Sequence, residues 1–332
     1  MSTGLPTIAV MMGDPAGIGP EVCVKALSEK AIQRKCHPFL IGSAYVVQKA
    51  IQLCGLNVPV HRIDTPSQSR LHSGICVLDP GDTKGEDFIW GHPSAIAGKA
   101  VVSWQRLGEQ MGRNKEIDGL VLGPIDSNSI ALGGMVSHVD DLQPSGTYML
   151  RISGKLKVVP ISEHIRFKDI LSTVQPDHIF KVIKLLHESL SKWGIAHPRI
   201  AVAGINPHAM FEEDKTHVAP AVDLARKIGI DALGPIAPDS VFRMNLDGKY
   251  DAVVSMYHDQ GQVAVKTAVF EGACTIYIGL PYVMINVPHG SAFDIAGKGV
   301  AQPSSLVAAV NTASHLASGL AFLNESSADQ GT

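Results

Sequence analysis

The chain reads as an α/β protein with a largely parallel sheet, and three observations predict it. Short continuous apolar runs of strand length recur along the sequence, segments of helical periodicity separate them, and glycine- or proline-bearing turns mark the joins. Thr7–Met11 is the first such run and reads as a fully buried strand. It feeds Gly13-Asp14-Pro15-Ala16-Gly17-Ile18-Gly19-Pro20-Glu21 and then the periodic Val22, Val24, Ala26 and Leu27, which make a strand, a turn and a helix in succession. The N–H groups of such a turn suit an anion or a close-lying ligand, although the spacing is not the GxGxxG dinucleotide fingerprint.

Residues 38–42 form a second strand, followed by a helix to about Cys54 that Gly55 closes. Residues 56–92 set short apolar islands, Ile75–Leu78 among them, between Pro, Gly and Asp, so strands and loops are expected there. Residues 94–111 have helical periodicity that stops at Gly112, and 118–124 read as a strand ending in a turn. Residues 125–150 lack periodicity and are expected as a long loop, a feature usually tied to function. The clearest helix is 176–193, with Pro176 at its start, Ile179, Val182, Ile183, Leu186 and Leu190 on one face, and Gly194 at its end. A strand at 199–204, a helix at Ala219–Lys227 and a strand at Ala252–Ser255 continue the alternation, and a polar tail follows Asn324.

At 332 residues the chain can hold two domains with substantial cores. A net charge of −3 with no Lys/Arg cluster argues against nucleic acid as the main partner. No apolar run reaches about 18 residues, so no membrane span is expected. The N-terminus lacks a basic segment followed by an apolar one, so a cytoplasmic location is expected. The five cysteines are odd in number and show no CxxC spacing, which favours reduced core thiols over a disulfide framework or a zinc knuckle.

Three histidines share one context: His164, His208 and His258 each follow a strand-like run. Strand ends of a parallel sheet converge on one edge, so the three can meet there. Three neutral imidazoles suit a divalent ion with positions left for substrate oxygens. Asp259, next to His258, is either the proton acceptor or the group that orients the imidazole. Downstream lies His289-Gly290-Ser291-Ala292-Phe293-Asp294-Ile295-Ala296-Gly297-Lys298-Gly299. Its small residues let backbone approach a ligand, and Asp294 can hold a ribose hydroxyl.

Gly13 through Pro20, Gly204-Ile205-Asn206-Pro207-His208-Ala209, Tyr257-His258-Asp259-Gln260-Gly261 and the 289–299 run together resemble the 4-hydroxythreonine-4-phosphate dehydrogenase family. That family is related in fold to the isocitrate and isopropylmalate dehydrogenases, and the resemblance spans residues 7–316. It implies two α/β/α domains with a cleft between them, expected at 1–125 with 285–332 and at 126–284. It implies one divalent metal on His164, His208 and His258, with zinc the first choice and Mg, Mn or Co also compatible. One of the three histidines would come from the partner subunit of a homodimer. The cofactor implied is NAD, or NADP, at Asn206, His289, Gly290, Ser291, Asp294 and Gly297. Substrate contacts fall to Asp14, Gly146, Thr147, Lys266, Thr275 and Met284, with Lys266 and Asp259 as the catalytic candidates.

Departures from the family pattern direct the substrate expectation. The family's Thr-Gly-His-Thr-Glu run is replaced by Ser145-Gly146-Thr147-Tyr148-Met149. Of three phosphate-gripping positions, Lys is kept as Lys266, while Thr275 stands for Asn and Met284 for Arg. Losing an Arg fork removes a main means of holding a dianion. Similar losses occur in the terephthalate cis-dihydrodiol dehydrogenase branch. The main expectation is therefore oxidation of a secondary alcohol beta to a carboxylate, with loss of CO2, on an unphosphorylated hydroxy acid or cis-dihydrodiol carboxylate. Two alternatives stand beside it: a dehydrogenase for 4-hydroxythreonine 4-phosphate or a four-carbon sugar-acid phosphate, and a non-catalytic ligand-binding protein on the same fold.

Overall fold

The computed structural model describes residues 4–84, 87–268 and 274–322, and the polar tail after Asn324 lies outside them. By its internal contacts the chain divides into two compact units, Met1–Ser145 with Leu280–Ser318, and Gly146–Gly279 with Gly319–Thr332. Both are α/β, with sheets that are mostly parallel.

The first unit is built on a parallel sheet in the order Val60–Arg62, Ile75–Leu78, His37–Ile41, Thr7–Met11, Gly119–Leu122 and Val283–Asn286. Thr7–Met11 is central, and Ile8, Ala9, Val10 and Met11 have no exposed surface. A strand buried on both faces is why the run is continuously apolar instead of alternating. From Thr7–Met11 the chain builds outward on one side and then crosses to the other. The switch point, where α/β proteins gather ligand-binding loops, therefore lies between Thr7–Met11 and Gly119–Leu122.

Helix Ala95–Arg113 starts where its sequence says, with Ser94 Oγ accepting the Ala97 N–H at 3.2 Å, but it runs through Gly112 instead of stopping there. A Cβ at Gly112 would lie 2.5 Å from the Tyr282 ring, so this glycine admits a neighbour and does not end the helix. The stretch expected as a long loop is also ordered in part. Asp126 caps helix Ser127–Gly133 by accepting the Ser129 N–H at 2.7 Å, and Val139–Leu142 forms a 3-10 turn.

The second unit holds Cys274–Ile278, Tyr148–Ser153, Leu156–Pro160, Ala252–Ser255, Ile200–Ala203 and Ala232–Ile236 in that order. The first three pair antiparallel and the rest parallel. Leu156–Pro160, Ala252–Ser255 and Ile200–Ala203 thus point the same way and release their next residues at one edge. Those residues carry His164, His258 and His208. Among the described residues no helix is long and apolar enough to cross a membrane.

Candidate active site

In the first unit the glycine-rich turn and the 289–299 run are bonded to each other. Gly13 has φ +79°, and a Cβ there would come within 2.3 Å of the Pro124 carbonyl. Asp14 donates its N–H to that same oxygen at 2.8 Å, which ties together the turns after two neighbouring strands at the switch point. A Cβ on Gly17 would lie 2.5 Å from Ser291 Cβ, while Ile18 N–H reaches Ser291 O at 2.9 Å. Glu21 Oε1 accepts the Gly297 N–H at 2.6 Å, and Lys25 Nζ donates to Gly299 O at 2.8 Å.

The expected anion-binding role of the turn is not what its N–H groups do here. Ala16 N–H goes to Asp14 Oδ1, Gly17 N–H to Asp14 O and Ile18 N–H to Ser291 O, so these donors are engaged inside the protein. The glycines serve close packing. What opens to solvent instead is a cavity of about 380 Å³ bounded by Ile18, His289, Gly290, Ala292, Gln302 and Ser304. Gln302 and Ser304 lie past the run and carry no sequence signal of their own. Asp294 is exposed, Ser291 is buried with no partner for its Oγ, and Gly297 takes φ +77° against the Trp90 ring. Asp14 is fully buried, and its Oδ2 also lacks a partner. Burial pushes its carboxyl above the usual range, against the lowering effect of hydrogen bonds from Ser129 and the Ala16 N–H.

In the second unit the structure brings two of the three histidines together. His164 and His258 have ring centroids 5.0 Å apart, tilted by 55°. They line a cavity of about 410 Å³ with Glu163, Phe167, Tyr257 and Asp259. His258 is the first residue of helix His258–Ala268. Its Nδ1 lies 2.7 Å from Asp259 Oδ1, which assigns the ring proton to Nδ1 and leaves Nε2 with the lone pair. Gln260 fastens this turn, accepting the Met256 N–H at 2.8 Å and donating to Gly204 O at 2.9 Å.

His208 stands apart, on the turn that follows the neighbouring strand. It takes φ 57°, ψ 7°, and Ala209 follows at φ 54°, two consecutive left-handed residues that are not glycine. Such backbone costs free energy and persists where the surroundings impose it. Asp214, fully buried, does so: its Oδ1 accepts the Ile205 N–H at 2.7 Å and its Oδ2 the Phe211 N–H at 3.2 Å. Asn206 is held by Glu213 at 2.9 Å. Asp214 organises the His208 turn, and nothing in the sequence marked it.

The remaining expected residues are scattered. Lys266 is exposed on helix His258–Ala268, ~12 Å along the axis from His258 at 1.5 Å per residue. Gly146 is exposed at φ +79°, and Thr147 is buried. Thr275 is half-buried and sits in register opposite Arg151. Met284 has no exposed surface inside its strand, where its apolar side chain packs as a core residue does.

The donor set can be tested against a metal. Two adjacent imidazoles, one oriented by a carboxylate, are suitable donors, but catalytic zinc takes three protein ligands. Among the described residues no three His, Cys, Asp or Glu side chains of one chain converge as a metal site. His164 and His258 therefore supply two of the three ligands such a site takes.

Parallel strands that release polar residues at one edge, with a glycine-bearing run bounding a cavity, define the class of α/β proteins that bind ligands at their strand ends. The chain belongs, more particularly, to the family described as pyridoxal phosphate biosynthetic protein PdxA, whose model matches residues 34–313. It is 38% identical, over 96% of both chains, to a protein of Novosphingobium aromaticivorans provisionally named 4-hydroxythreonine-4-phosphate dehydrogenase. It is 36% identical to the D-threonate 4-phosphate dehydrogenase of Cupriavidus necator, over 96% of this chain and 99% of that one. The crystal structure of a 4-hydroxythreonine-4-phosphate dehydrogenase from Burkholderia phymatum matches with a TM-score of 0.84 at 32% identity, covering 97% of this chain and all of the other. A terephthalate 1,2-cis-dihydrodiol dehydrogenase of Burkholderia xenovorans is more distant, at 27% identity and a TM-score of 0.71. The likeness is thus greater to the proteins named for phosphate esters than to the dihydrodiol branch.

Proposed function

We propose that the protein is an NAD-dependent, metal-assisted dehydrogenase that oxidises the secondary alcohol of a four-carbon phosphate ester, either 4-hydroxythreonine 4-phosphate or D-threonate 4-phosphate. The observation that carries this reading is the match, over nearly the whole chain, to relatives named for those two substrates. Met284, with no exposed surface, gives no support to an unphosphorylated substrate. Those names speak of dehydrogenation and not of CO2 loss.

When bound, a divalent ion supplies Lewis-acid assistance to loss of the hydroxyl proton, and NAD accepts the hydride. His164 and His258 are the donors this chain offers the ion, zinc first and Mg, Mn or Co next, and Asp259 keeps His258 Nε2 aimed outward. Phe167 and Tyr257, edge to face at 6.3 Å, form part of the cavity wall. The nucleotide is assigned to the cavity at His289, Gly290 and Ala292, with Ser291 and Gly297 shaping its run and Asp294 exposed beside it. Lys266 is the cation assigned to the phosphate. A homodimer completes the metal site, with His208 of a second copy as third ligand. Large exposed apolar side chains flank both histidine segments, Met210 and Phe211 beside His208, Ile165 and Phe167 beside His164, which is the surface a second chain would cover.

The test is NADH formation by the zinc-loaded protein on 4-hydroxythreonine 4-phosphate, D-threonate 4-phosphate, D-threonate and a cis-dihydrodiol carboxylate. One of the phosphate esters should exceed the unphosphorylated compounds in kcat/KM by ~10²-fold or more, the scale of a lost charged partner. Highest turnover on the diol carboxylate would overturn the proposal.

A further inference from the structure

We infer that Arg151 is a positioning residue that acts through Glu163 to hold His164 beside His258. The inference rests on the reading of those two histidines as metal ligands. Arg151 lies in strand Tyr148–Ser153 with its side chain 7% exposed, and its guanidinium grips Glu163 with both arms. Nη1 donates to Oε1 at 3.0 Å and Nη2 to Oε2 at 2.6 Å. Glu163 is the residue before His164 and lines the same cavity as His164 and His258.

The segment leading to His164 is fastened one residue at a time. Ile161 N–H donates to Ser255 O at 2.9 Å, and Ser162 Oγ to Met256 O at 3.3 Å, which aligns it with the strand that delivers His258. Glu163 continues this anchored segment, and His164 through Lys168 beyond it are all exposed. The two-armed contact fixes the orientation of the Glu163 carboxylate as well as its position, which a lysine could not do. It also turns both carboxylate oxygens toward Arg151, so Glu163 is occupied as a brace and the cavity is left to the imidazoles.

A buried ion pair can serve stability or geometry, and the two separate when both charges are removed together. Replacing a whole buried pair by apolar residues of similar volume commonly preserves the fold. Arg151→Met/Glu163→Leu should therefore melt near the wild-type temperature yet bind zinc, titrated alone into the metal-free full-length protein, 10–100-fold more weakly, the range typical of lost orienting partners. Wild-type melting with wild-type zinc affinity overturns the positioning role. His164→Ala run alongside separates the two readings: if it loses zinc binding while the double variant keeps it, only the positioning role fails. If neither variant changes zinc affinity, the ligand reading fails and takes this inference with it. Should the double variant not fold, Glu163→Gln decides on the same titration. Weakened binding supports the brace and unchanged binding refutes it.

Discussion

The ends of the strands in the two units are finished differently. In the first unit the loops after Thr7–Met11, Gly119–Leu122 and Val283–Asn286 close on one another through backbone contacts, Gly13 and Asp14 against Pro124 and Gly17 and Ile18 against Ser291. In the second, the loops after Leu156–Pro160 and Ile200–Ala203 carry exposed apolar side chains, Phe167 at 81% and Met210 at 60%, and the latter holds left-handed residues at His208 and Ala209. The first arrangement is complete within one chain. The second combines backbone strain at His208 and Ala209 with apolar side chains left exposed beside the histidines.

That contrast can be broken from either side. The largest effect is expected in the second unit. Asp259→Asn keeps the shape but weakens the hydrogen bond that fixes the His258 ring, so zinc affinity measured by titration should fall 10–100-fold with no loss of secondary structure. An unchanged affinity would remove Asp259 from the site. In the first unit, Gly17→Val forces a side chain into space held by Ser291, and overpacking of this kind costs about 1–3 kcal/mol. Its mark should be a lower melting temperature together with a raised KM for NAD and little change in zinc affinity. A shift in zinc affinity instead would mean that the two regions are not independent.

A smaller effect sharpens the account of Asp14. Burial raises its carboxyl pKa in the folded state above the ordinary 3.8, so the native protein holds a proton that the unfolded chain releases. Below pH 3.8 both states are protonated and the ionisation makes no difference to stability. As pH rises from there, the unfolded form ionises first and the wild type loses stability relative to Asp14→Asn. Melting curves should therefore diverge in favour of the variant as pH rises above about 4. Curves that stay parallel across this range would contradict the buried, partnerless oxygen.

Much of the fold was legible because strands buried on both faces have to be continuously apolar. Thr7–Met11, Ala219–Lys227 and Ala252–Ser255 have the bounds their sequence predicts. Glycine was the less certain guide. Gly55 and Gly194 take positive φ just past helix ends, but Gly112 lies inside a helix because of Tyr282, a contact with a residue far along the chain. Residues 125–150 hide a helix of seven residues, too short for periodicity to show, whose only signal was the Asp126 cap. At the site, the histidines could be picked out as residues following strands, and their shared edge follows from parallel pairing. Their spacing could not be read, because it depends on Asp214, Gln260 and the Arg151–Glu163 pair, which act across loops. The burial of Met284 could not be read either, since a residue's place in a motif says nothing about whether its side chain reaches solvent.

The central claim is that the histidine site is shared between copies, with His164 and His258 from one chain and His208 from the other. Subunit exchange between inactive variants tests it most directly. His164→Ala refolded together with His208→Ala should recover about a quarter of wild-type activity, since half of the dimers are mixed and each of those has one intact site in two. His164→Ala with His258→Ala should recover none, because every site then lacks a ligand from the same half. Recovery in the second mixture, or none in the first, would contradict the account.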